Sequence, residues 1–100
     1  MSVIKLTLRN VKDAFTRKLE AEQDDQRDHI FYYLDYEGSQ YTVGKLSHSW
    51  SGSLDDTQIS MLAHELCLTK REFERWVICH LSNSDMITIW RQRRRERYGR

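Results

Sequence analysis

Proline is absent from the 100 residues. No element is therefore interrupted by a missing amide donor, which is compatible with an ordered chain rich in regular structure. Cysteine is scarce: Cys67 and Cys79 are too few for a disulfide framework and read as buried, reduced thiols. No apolar run approaches the ~20 residues that span a bilayer, and MSVIKLTLRN is too briefly apolar for a secretory leader. The expectation is a cytoplasmic protein without a membrane partner. Also missing are a P-loop, a dinucleotide fingerprint, a G-x-S-x-G elbow and a metalloprotease histidine pair. No cofactor is implied. His64, Cys67, Cys79 and His80 have metal-capable side chains, but H-x-x-C followed by an adjacent C-H is not a usual zinc spacing, so no metal site is expected.

What is present is a globular composition, 39% hydrophobic and 31% charged, in a length suited to one domain. The net charge of +1 hides an asymmetry. Residues 91–100, RQRRRERYGR, carry six arginines and one glutamate, while the other ninety hold ten basic and fourteen acidic groups. We read a single domain over residues 1–90 and an arginine-rich helix end or tail over 91–100. The arginines suit the negative pole of a helix dipole, and they equally suit a polyanion.

The stretch RDHIFYYLDYEGSQYTVGKLSHS, Arg27 to Ser49, reads as a β-hairpin around a Glu37-Gly38-Ser39 turn in which Gly38 supplies positive φ. Antiparallel pairing brings the start of one strand beside the end of the other, placing His29, Lys45, Ser47 and His48 at one end of the sheet. Ile30, Tyr32 and Leu34 share one face of the first strand, and Phe31, Tyr33 and Asp35 the other. On the second strand Tyr41, Val43 and Lys45 would share a face, opposite Thr42, Gly44 and Leu46.

Around the hairpin, Ile4, Leu6 and Leu8 alternate as a short strand or extended lead-in. Asn10, with Asp13 at N3, would cap a helix through Val11, Phe15 and Leu19 to about Glu22. Gln23 to Arg27 has no periodicity and reads as loop. Ser53 and Asp56 have helix-start spacing before Ile59, Leu62, Ala63 and Leu66. Thr69 with Glu72, and Ser82 with Asp85, open two further helices. The expected fold is α+β in the order α-β-β-α-α-α: a small antiparallel sheet (hairpin 29–47) with helices Asn10–Glu22 and 55–67 on one face and two C-terminal helices that pack on the domain or mediate a homodimer. Trp76 and Trp90 are the anchors for either.

Three chemistries follow. His29, with Asp28 beside it to orient the ring, suits general acid/base work; with Lys45 and His48 beside a phosphate it forms one sufficient set for metal-free phosphodiester cleavage. Tyr32, Tyr33, Tyr36 and Tyr41 either stack unpaired bases or pack the sheet. Ala63, Cys67 and Phe73 fall roughly where a helix-turn-helix places its small, turn and recognition-helix residues, so duplex DNA binding and a non-catalytic protein-interaction module are the alternatives.

A leading helix, a His-initiated aromatic strand (DHIFYYLDYEG), a second strand and a helix of the form ISMLAHELCLTKREF together resemble the HicA-type toxin family over roughly Asn10 to Phe73. The resemblance implies an architecture similar to double-stranded-RNA-binding domains and an mRNA-cleaving, ribosome-independent activity, with His29 in the catalytic histidine's place and an antitoxin or other protein as partner. The chain departs from that pattern at Arg27-Asp28-His29-Ile30, where the family has Gly-Ser before its histidine and often a second histidine after it. On this reading RNA is the ligand, His29, His48 and Lys45 are the catalytic residues, and Lys45, Ser47, Arg91, Arg93, Arg94, Arg95 and Arg97 hold the strand.

Overall fold

Residues 5–98 are described by a computed structural model; Ile4 of the lead-in and Arg100 of the basic end lie outside them. The first helix, α1 (Leu8–Asp13), is capped one turn earlier than the sequence suggests. The Thr7 hydroxyl accepts from the Asn10 amide and the Asn10 side chain accepts from the Thr7 amide. Asn10 is thus the N3 partner and not the cap. The reason is tertiary: Leu8 N–H donates to Gly52 O and Leu54 N–H to Leu6 O, which pins the lead-in extended up to Thr7. The helix continues as a wider π turn over Ala14–Lys18 and stops well short of Glu22, with Glu20 in the left-handed region at φ 57°.

The sheet has three strands, β1 (Glu22–Asp25), β2 (His29–Tyr36) and β3 (Ser39–Ser47), antiparallel in the order β1-β2-β3. The hairpin stands as expected, and Glu37 and Gly38 both have positive φ, the requirement of a primed two-residue turn. The EQDD strand stands where the sequence suggests a helix end at Glu22 and a loop from Gln23 onward. It has no apolar alternation, and it forms because the open edge of β2 offers backbone partners, a long-range influence that local pattern does not carry. A bulge opposite Tyr32/Tyr33 also resets the faces of β3. Tyr41 pairs with Leu34, Gly44 with Tyr32 and Leu46 with Ile30 on the core face, whereas Lys45 pairs with Phe31 on the other. Tyr41 and Lys45 therefore do not share a face.

Three helices follow: α2 (Asp56–Glu65), α3 (Lys70–Val77) and α4 (Asn83–Tyr98). The cap of α2 is Asp55 with Gln58, not Ser53 with Asp56. Ser53 is held in a bridge to Thr7, and the Asp55 carboxylate is the better acceptor at the positive helix end. Thr69 and Glu72 cap α3 reciprocally, and Ser82 Oγ accepts from the Asp85 amide at the start of α4.

The core lies between the helices and one face of the sheet. Phe15 stacks on Tyr32 with ring centres 4.7 Å apart, and Trp76 meets Phe15 edge-on at 5.4 Å. Trp90 packs edge-on against Tyr36 and Tyr41. Both tryptophans are buried within their own chain, so they anchor the C-terminal helices to the domain. A polar knot locks that end: Lys18 Nζ donates to the carbonyls of Trp76 and Leu81, Trp76 Nε1 donates to Asn83 Oδ1, and Asn83 Nδ2 donates to Lys18 O. The architecture is α+β in the order α-β-β-β-α-α-α. Among the described residues no helix is long and apolar enough to cross a membrane.

Candidate functional site

The hairpin register places Ser47 opposite His29 and Lys45 opposite Phe31. Side chains two apart on a strand share a face, so His29, Lys45 and Ser47 meet in one pocket of about 120 Å³, closed by Trp50 and by Met61, Leu62 and Glu65 of α2. The His29 ring lies against Phe31 at 6.2 Å, and Lys45 Nζ sits 5.7 Å from the centre of the same phenyl ring. Among the described residues no carboxylate hydrogen-bonds the His29 ring, and Asp28 instead uses its carbonyl, accepting from the His48 amide.

His48 does not join this group. It lies in the turn beyond β3, and its Nε2 is 2.9 Å from Gln26 O on the neighbouring loop. One residue past Ser47 is enough to turn a side chain away from a face that its neighbour occupies. Two histidines at one sheet end therefore do not make two histidines in one pocket.

The tyrosines divide by face. Tyr32 is fully buried; burial first, and then the negative charges of Asp25 and Asp13, push its hydroxyl up to about 12. That hydroxyl donates to Gln23 Oε1 at 3.1 Å. Tyr36 and Tyr41 pack on Trp90. Tyr33 stacks on Phe31 on the face turned away from the core, but β1 lays Glu22 and Asp24 opposite those two rings. Carboxylates there would repel a phosphate backbone, so the β1 side of this face is a poor platform for nucleic acid.

The arginines are helical through Tyr98, and they differ in what they do. Arg93 is structural: its guanidinium grips the Glu72 carboxylate through both nitrogens, with Nη2 to Oε2 at 3.0 Å, and also reaches Cys67 O. The Arg93 hydrogen bond, helped by the Thr69 cap, holds Glu72 down at about 2. Arg91 pairs with Glu37 at 3.4 Å across an exposed gap, and Arg97 donates to His64 O. Arg94 lies over Tyr41 at 4.3 Å and within 5.3 Å of Tyr98, a guanidinium between two phenol rings. Arg95 lines the same hollow as Arg91, Arg94 and Tyr36. The sequence did not single out Tyr41 or Tyr98 as partners of this cluster. The Arg94–Tyr98 spacing of one helical turn was the available signal, whereas the approach of Tyr41 is long-range.

At the α2–α3 turn Cys67 has φ 58°, the left-handed conformation for which a glycine is common. The supposed recognition helix offers little to DNA, however: Lys70 is paired with Asp56 at 2.6 Å and Glu72 with Arg93, leaving Arg71 and Arg75 with Glu74 between them. Among the described residues no group of three or more histidine, cysteine, aspartate or glutamate side chains could hold a metal ion. No protein-family model, curated protein or solved structure matches this chain.

Proposed function

We propose that this chain binds RNA through the basic end of α4 and the tyrosines beside it. The observation that carries the reading is the Tyr41–Arg94–Tyr98 stack, set in two adjoining hollows rimmed by Arg91, Arg95 and Arg97. Cations that track phosphates, interleaved with rings on which a base can stack, are the physical requirements of single-strand recognition. Tyr98 is 61% exposed and so offers a free ring face. The resemblance to HicA-type proteins leads to the same ligand class. Arg93 has no part in it, because Glu72 already neutralises it. The test is fluorescence anisotropy with a labelled single-stranded RNA: Arg94→Ala should weaken binding by about tenfold, in line with the loss of a stacking and phosphate contact. Equal affinity in both proteins would sink the reading.

A second reading, metal-free cleavage of the bound strand, is favoured by the convergence of His29, Lys45 and Ser47 in one pocket. His29 would move the proton, Lys45 would stabilise the phosphate, and His48 would have no role. Cleavage of a labelled RNA in the presence of EDTA should be lost in His29→Ala. If wild type and variant cleave alike, or neither does, the pocket is not a nuclease centre.

A further inference from the structure

The hollows on this side of the molecule adjoin one another. The His29 pocket shares Lys45, Met61 and Glu65 with a wide depression that runs along α2 past Ser60. That depression shares His64 and Glu65 with the hollow of Tyr41, Arg94 and Arg97. The last of these shares Tyr41, Trp90 and Arg94 with the hollow that ends at Arg91 and Arg95. The four hollows thus follow one another beside β3 and α2, from the arginine end of α4 to the start of the hairpin.

We infer that this row of hollows is one path for a single RNA strand, occupied at one end by the arginine and tyrosine cluster and at the other by Lys45 and His29. The inference rests on the RNA reading above and adds the course of the strand and its single-strandedness. Cations stand at both ends, where phosphates need them. Between them Met61, 58% exposed, is the one large apolar side chain, set among Thr57, Ser60 and His64, and Trp50 closes the far pocket. Unpaired bases can lie on such groups, whereas a duplex keeps its bases stacked inside and presents only backbone. Two carboxylates line the middle segment. Asp56 is already neutralised by Lys70, and Glu65, which has no ion-pair partner among the described residues, lowers affinity there. The row is therefore improvable at its centre, which gives the test a gain of function that misfolding cannot imitate.

Fluorescein-labelled uridine oligomers of about four and about twelve nucleotides distinguish a strand held at one end from one that fills the path. Ser60→Lys adds a cation on an exposed face of α2 in the middle segment. It should tighten the long oligomer about three- to tenfold, steepen its log-salt slope by about 0.7, and leave the short one unchanged. Lys45→Ala should weaken the long oligomer alone. Ser84→Lys, an exposed position outside these four hollows, is the control for added charge and should change neither. If Ser60→Lys acts equally on both lengths or on neither, while Arg94→Ala still weakens both, the strand stops at the arginine end and the path is wrong though RNA binding stands. If the long oligomer binds equally well when annealed to its complement, the single-strand assignment is wrong. Failure of wild type to bind either length, or indifference of both to Arg94→Ala, removes the RNA reading itself and the path with it.

Discussion

Gly44 is where one hydrogen atom matters most. A Cβ built on it would stand 2.6 Å from Phe15 Cζ, and that ring cannot retreat because it is stacked on Tyr32 and braced by Trp76. Gly44→Ala should destabilise by about 1–3 kcal/mol as overpacking, read as a lower urea midpoint. Cys79 makes the opposite case. It is exposed in the left-handed region at φ 66°, which costs a side-chain-bearing residue roughly 1 kcal/mol. Cys79→Gly should therefore stabilise by about 0.5–1 kcal/mol in the same measurement. Cys67 has the same backbone but is buried, so at that position the lost packing opposes the relief. The sequence suggested that both thiols are buried, and burial holds for Cys67 alone. Why cysteine stands at both sites was not legible, because a left-handed φ is visible only once the chain is folded.

At the scale of elements, α2 and α3 end in the same way. Leu68 N–H returns to Ala63 O and Cys67 N–H to His64 O; His80 N–H returns to Arg75 O and Cys79 N–H to Trp76 O. Each is a Schellman ending with cysteine in the glycine position. The clamp between α3 and α4 is the Glu72–Arg93 pair, and its pH dependence has a definite sign. Glu72 is held at about 2, below its ordinary 4.5, by Arg93 and the Thr69 cap. Its stabilisation is present in full above about pH 4.5 and is lost as pH falls through about 2. We expect on the order of 1–2 kcal/mol, since the pair is partly open to solvent. Thermal melts from pH 6 down to 2 should show this loss in wild type and much less of it in Arg93→Ala. Arg93→Ala should also be less stable at neutral pH, while Arg95→Ala should not. Equal melting of the two variants would mean that the arginines of α4 are alike. The composition showed a basic run, and only the fold separates the arginine clamped to Glu72 from Arg91, Arg95 and Arg97, which stay exposed.

Over the whole molecule, charge is segregated. The acidic β1 lies at one edge of the sheet and the arginines crowd the far end of α4, so a polyanion meets a directional surface on a nearly neutral protein. If Arg91, Arg94, Arg95 and Arg97 are the phosphate contacts, the logarithm of RNA affinity should fall against the logarithm of salt with a slope of about −2 to −3. A slope near zero would show that these arginines touch no phosphate. Alkali attacks the core elsewhere. Tyr32 is raised to about 12 from its ordinary 10.0, chiefly by burial. Its contribution is complete below about pH 10 and is lost as pH rises through about 12, so unfolding should set in over that window, followed by tyrosinate absorbance.

The sequence by itself determined the α+β class, the hairpin from His29 to Ser47, the cap of α3 and the meeting of His29, Lys45 and Ser47, because each follows from local periodicity, short-range capping or antiparallel register. The tertiary structure decided the rest. It made EQDD a strand by offering an open edge, moved two helix starts by pinning the chain before them, and set Tyr41 and Lys45 on opposite faces through one bulge. It also turned His48 to the Gln26 carbonyl and drew Arg93 to Glu72, twenty-one residues away. Those outcomes depend on which distant groups come into contact, and no window along the chain contains that information.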